Sequence, residues 1–112
     1  MRKAKDDVDL DFDHFGRFSE PSLLILISLA DGPKHGYAMT EDIASVAGVR
    51  LGPGTLYGAI ARLEAQGLIE ALASDDRRNP YRITAAGEKA LRARLGALQA
   101  VARIGQRRLA SA

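Results

Sequence analysis

The sequence predicts a mainly α-helical domain with a small β-hairpin, followed by one long C-terminal helix. Three observations predict it. Apolar residues recur at helical spacing in three short segments between residues 21 and 66, each closed by Gly or by Asp-Gly-Pro. The period then shifts towards strand alternation on either side of a polar cluster at 74–80. From residue 85 a single helical stripe runs on to about Leu109. With 112 residues the chain can bury one small core but not a deep catalytic cleft and a second lobe. Hydrophobic residues make up 46% and aromatics only 5%, with no Trp, so that core is aliphatic.

Residues 1–18 form a mixed-charge arm. Val8, Phe12 and Phe15 stand at helical spacing with Phe18 close by, which places all three Phe of the chain in this arm. A tail that stayed free in solvent would hardly carry them, so a short helix packing on a partner or on the C-terminal helix is expected, with residues 1–6 frayed. Ser19-Glu20-Pro21 opens the next helix, which is apolar on most sides through Leu23, Leu24, Leu26, Ile27 and Ala30 and forms the centre of the core. Asp31-Gly32-Pro33 ends it. A second helix runs from about His35-Gly36 to Ala47, with Met39, Ile43 and Val46 as its buried positions and Gly48 as its stop.

Leu51 to Gly54 turns into a third helix, which is the most informative stretch. Pro53 suits a first helical turn and Gly67 a left-handed C-terminal cap. At about 100° per residue, Leu56, Ile60 and Leu63 form an inward stripe, whereas Thr55, Gly58, Arg62 and Gln66 lie on an outward arc with little steric mass. An ordinary solvated helix would fill that arc with long polar side chains. As a mere defect Gly58 costs about 1 kcal/mol against Ala; as a placed residue it lets another surface approach the backbone.

Leu68, Ile69 and Leu72 lead into a hairpin whose charged tip spans 74–80 and which returns through Tyr81, Arg82 and Ile83. Thr84 is the expected N-cap of a helix from Ala85 to about Leu109, with Leu91, Leu95, Leu98 and Ala102 on one line and Val101, Ile104 and Leu109 beside it. Roughly seven turns of helix cannot bury such a stripe against so small a body, so a two-fold partner is expected to cover it.

Composition excludes several classes. Cys is absent, which removes disulfides, thiolate metal sites and the strongest common nucleophile. The apolar run at 23–30 is too short to span a bilayer, and the basic start at Arg2, Lys3 and Lys5 leads into five Asp between Asp6 and Asp13 rather than an export signal; a cytoplasmic protein without membrane partners is expected. No nucleophile elbow, phosphate-cradling Gly loop or His pair at ligand spacing is present, so no enzyme, metal or cofactor is expected. The net charge of +2 is small. Its distribution is not even: residues 1–20 hold six acids and four bases, whereas residues 89–112 hold Lys89, Arg92, Arg94, Arg103, Arg107 and Arg108 and no acid. That tail also reads as a solvated face favoured by its own helix dipole.

Helix, helix, helix, hairpin is the winged helix-turn-helix plan, in which the third helix enters the major groove of double-stranded DNA and the hairpin reaches backbone or minor groove. The chain divides into the arm at 1–18, a winged helix-turn-helix DNA-binding domain at 19–84 and a dimerisation helix at 85–112. Arg62 and Thr55 suit base-edge contact, with Gly58 and Gln66 beside them. Tyr57 lies at the helix flank, where its ring packs or its hydroxyl reaches a phosphate. Lys34, His35 and Tyr37 sit at the start of the second helix, where free N–H groups favour phosphate, although a lone His is more often a turn residue. Arg77 and Arg78 at the hairpin tip suit wing contacts, weakened by Asp75 and Asp76. Phe12, Phe15, Leu91, Leu95, Leu98, Val101 and Ala102 are the expected dimer contacts. The competing expectation is a winged helix that docks on proteins and never touches DNA; an apolar docking face would want Leu or aromatic anchors where the third helix is bare.

Between Pro21 and Leu98 the sequence resembles the PadR family of bacterial transcriptional regulators, in its short form with a single C-terminal helix. The marks are Leu-Leu-Ile-Leu at 23–26, Gly-Pro-Lys-His-Gly-Tyr at 32–37, Gly-Pro-Gly-Thr-Leu-Tyr at 52–57, Arg-Leu-Glu at 62–64, Gly-Leu-Ile at 67–69 and Tyr-Arg-Ile-Thr-Ala-Ala-Gly at 81–87. The resemblance implies a homodimeric repressor on a pseudo-palindromic operator, dimerised through the C-terminal helix and the N-terminal segment, and often released by a small-molecule effector. Gly58 departs from the Pro that many relatives carry there, and without Trp the chain lacks the stacking pair by which some relatives hold flat ligands.

Overall fold

The computed structural model describes residues 20–74 and 79–112. The arm at 1–18, with Phe12 and Phe15, and the tip residues Arg77 and Arg78 lie outside the described residues. The order is α1 (Pro21–Ala30), α2 (Gly36–Ala47), α3 (Pro53–Ala65), β1 (Ile69–Ala71), β2 (Tyr81–Ile83) and α4 (Ala85–Ser111). This is the mainly helical fold with one hairpin that the sequence predicts.

Helix α1 is the hub, because Leu23, Leu24, Ile25, Leu26 and Leu29 are all buried and α2, α3, α4 and β2 pack around it. Its C-terminal end turns at Gly32, whose φ of 140° favours glycine. Two carbonyls at that end are held by Lys34: its Nζ donates to Ser28 O at 2.6 Å and Gly32 O at 3.5 Å, and lies 3.6 Å from Asp31. A cation at the negative end of a helix dipole is well placed there.

In α2 the buried positions are Gly36, Met39 and Ile43, and Gly48 closes the helix at φ 69° with its N–H on Ala44 O at 3.0 Å. Val46, expected inside, is 61% exposed. It stands about 60° round the helix from Ile43, whereas Ala47, about 40° to the other side, takes the inward place. Helix α3 buries Leu56, Ala59, Ile60 and Leu63, the expected stripe with Ala59 added. It ends in a Schellman arrangement, Gly67 at φ 75° and Leu68 N–H on Leu63 O at 3.0 Å.

The strands pair antiparallel, Ile69 with Ile83, Glu70 with Arg82 and Ala71 with Tyr81. Ile69 turns inward, while Glu70 and Arg82 form an ion pair across the outer face. Lys34 adds a third, single-residue rung: its N–H reaches Tyr81 O at 3.0 Å and its O accepts from Tyr81 N at 2.9 Å. Thr84 then joins three elements. Its hydroxyl donates to Gly67 O at 2.7 Å and accepts from Gly87 N at 3.0 Å, and its N–H binds Leu68 O at 3.1 Å. Gly87 lies so close to Leu68 O that a Cβ would overlap it, so α4 can leave the hairpin at this angle only with glycine there.

Helix α4 has 27 residues, about 40 Å of rod, of which the first turns rest on α1 and β2. Leu91, expected at a dimer contact, is 7% exposed and belongs to the core of its own domain, because the stripe passes over α1 before it leaves the body. Leu98 is half-buried, whereas Leu95, Val101, Ala102, Ile104 and Leu109 are exposed. Arg94 returns to α1 through a forked pair with Glu20, Nε to Oε1 at 3.0 Å. No helix among the described residues is long and apolar enough to cross a membrane.

Candidate nucleic-acid interface

Helices α2 and α3 meet at Tyr57 and Gly36. The Tyr57 phenol rests where a Cβ of residue 36 would be, so the glycine lets α3 seat against the first turn of α2. Tyr57 is nonetheless 50% exposed, one edge packed and the other in solvent. Its hydroxyl is turned to Gly36, which makes the ring a spacer between the two helices. Tyr81 stands nearby, its hydroxyl pKa raised first by burial and then by the charge of Glu64.

The outer arc of α3 has the expected make-up. Thr55, Arg62 and Gln66 are exposed, and Arg62 has no ion-pair partner among the described residues. Its Nη1 lies 3.7 Å from the position a Cβ at Gly58 would take, an ordinary contact distance. Nothing in the fold therefore requires glycine at 58: the backbone is helical, and no neighbouring atom claims the space. Gln66 is the C-cap residue, at the far end of the helix from Thr55.

At the other end, the first turns of α2 and α3 open on a groove of about 610 Å³ lined by His35, Tyr37, Arg50, Tyr57 and Tyr81 among others. His35 and Gly52 are the N-caps, and neither helix has a side chain bonded to its free N–H groups. Tyr37 is 72% exposed in the first turn of α2. Of the three residues expected at this end, Lys34 does not line the groove. Its side chain is only 15% exposed, and its ammonium is held by the Ser28 and Gly32 carbonyls and beside Asp31.

Sequence reasoning passed over Arg50, in the turn between α2 and α3. Its guanidinium donates to both carboxylate oxygens of Glu41, at 2.9 and 3.3 Å. These bonds, followed by the charge attraction, hold the Glu41 carboxyl below its ordinary pKa and Arg50 above its own. A basic residue directly before the Leu-Gly-Pro-Gly turn was the available signal. No group of three His, Asp or Glu able to hold a metal occurs among the described residues.

Comparison with known proteins bears on the family and the fold. Residues 25–93, more than half of the chain, match the family model described as transcriptional regulator PadR-like. The transcriptional regulator Rv3488 of Mycobacterium tuberculosis is 44% identical over 84 residues, covering 72% of this chain and 78% of that protein. An uncharacterized 37.1 kDa protein in transposon TN4556 of Streptomyces fradiae is 49% identical over 75 residues; these cover 67% of this chain but only 22% of that protein's length. The crystal structure of a PadR family transcription regulator from Clostridium difficile R20291 has the same fold, with a TM-score of 0.73 at 22% identity over 81% of this chain and 99% of that one.

Proposed function

The chain belongs to the PadR-like family of transcriptional regulators, and from that premise we propose that it is a homodimeric repressor whose α3 enters the major groove of a pseudo-palindromic operator. In this reading residues 19–84 bind DNA and residues 85–112 dimerise. Arg62 and Thr55 contact base edges, since a guanidinium pairs bidentately with guanine and a threonine offers a hydroxyl and a methyl. Gly58 lets the α3 backbone approach, and Gln66 hydrogen-bonds farther along the groove. His35, Tyr37 and the exposed edge of Tyr57 face phosphates at the first turns of α2 and α3. Leu95, Leu98, Val101 and Ala102 cover one another across the two-fold axis.

The observation that carries the reading is Gly58. It weakens a helix interior by about 1 kcal/mol, yet no atom of its own protomer needs the space. What sets Gly58 apart is its place: its open space faces out of α3 between the exposed Thr55 and Arg62, on the face proposed to meet the duplex. Selection of bound fragments from genomic DNA with the purified protein tests this. The expected result is a two-fold site with half-sites about one helical turn apart, bound less tightly as salt rises. Fragments without symmetry, or binding indifferent to salt, would refute it. Arg62→Ala is expected to weaken the recovered site by about 1–3 kcal/mol and relax its sequence preference.

A further inference from the structure

Among the described residues, Arg50 is the one Lys or Arg that lines the groove between the first turns of α2 and α3, and no described acid lines it. Lys34, next in sequence to the lining residue His35, is turned away to α1. Yet Arg50 is already engaged: its fork faces the fork of Glu41, and both side chains are open to solvent. Glu41 is not among the lining residues. The groove's cation is thus held from behind by a carboxylate of the protein's own α2.

Resting on the DNA-binding reading above, we infer that Arg50 is a phosphate-contact residue and that Glu41 is its internal competitor. On DNA the guanidinium exchanges the Glu41 carboxylate for a backbone phosphate oxygen. The same planar donor pair fits either acceptor, and an exposed ion pair is weak enough to be exchanged. Because a phosphate carries no sequence information, Glu41 lowers affinity for every duplex alike. Its effect is to shorten the time the protein spends on any duplex, operator and random DNA alike.

The test uses the full chain and a labelled mixed-sequence DNA duplex, with binding followed by fluorescence anisotropy across a salt series. Wild type, Glu41→Gln, Arg50→Gln and the double variant are compared. Both side chains are exposed, so the core is untouched, and melting curves verify that each variant is folded. Glu41→Gln is expected to tighten binding by about 1.5- to 5-fold for each Arg50 in contact. Arg50→Gln is expected to weaken binding and flatten the dependence of log K on log salt by about 0.9 per lost contact. In the Arg50→Gln background, Glu41→Gln is expected to change nothing further. Unchanged binding by Glu41→Gln overturns the inference. So does tightening of equal size in both backgrounds, which marks a general charge effect rather than competition for Arg50. Absence of binding by all four proteins at low salt instead overturns the DNA-binding reading itself.

Discussion

Replacing Gly58 with alanine is expected to move stability and DNA affinity in opposite directions. In a helix interior alanine is favoured over glycine by about 0.8–1.0 kcal/mol. The new methyl would meet only Arg62 Nη1, at 3.7 Å, so no steric cost offsets that gain. For a domain of this size the melting temperature is expected to rise by about 4 °C. Against a duplex the same methyl fills space that the proposed complex closes. Overpacking of this kind costs about 1–3 kcal/mol, or about 5- to 150-fold in affinity. Calorimetry reads the first quantity and anisotropy with the recovered operator the second. Gly96→Ala is the control: Gly96 is an exposed α4 residue with open space around it, so it is expected to give the same stabilisation with no change in binding. A Gly58→Ala protein that is more stable and binds as tightly as wild type would refute the close approach of α3.

Leu95→Arg, on the exposed part of the α4 stripe, is expected to yield a monomer by light scattering; a wild type that is itself monomeric would defeat the dimer reading. Lys34→Ala removes the cation from the α1 carbonyls and is expected to cost about 1–2 kcal/mol in denaturant unfolding while leaving operator affinity unchanged. Ser28→Ala is expected to stabilise the fold by about 1 kcal/mol, because the buried hydroxyl has no hydrogen-bond partner among the described residues. Acid is expected to weaken the α1–α4 clasp. The Glu20 pKa is lowered by its hydrogen bond from Arg94, so its contribution is complete above the ordinary glutamate value of 4.5 and fades as pH falls through the lower folded value. A thermal melt series compared with Arg94→Ala checks this, since the variant loses that part of the acid dependence.

Much of the fold was legible because its signals are local. The stripes of α1 and α3, the glycine stops at 48 and 67 and the Thr84 cap each follow from the residues of one turn. What escaped depends on where separate elements meet. Lys34 looks like a free cation in sequence, and only the turn at Gly32 brings it back to Ser28 O. Arg50 and Glu41 are nine residues apart and meet only because Gly48 reverses the chain between them. Periodicity put Leu91 on the same line as Leu95 but could not distinguish cover from the same protomer from cover by another. The outer arc of α3 was readable from sequence because it is defined by what is missing, and a missing side chain needs no tertiary contact to be noticed.

The single oxygen of Thr84 has a mechanical consequence. By pinning the end of α3, the exit of the hairpin and the root of α4 at one joint, it makes head and shaft turn together. A swing of about 10° along a rod about 40 Å long displaces its far tip by about 7 Å. That is more than half the width of a major groove, about 12 Å. In the proposed dimer on DNA, a swing of that size at the shafts would carry both heads out of step with the duplex without melting either one.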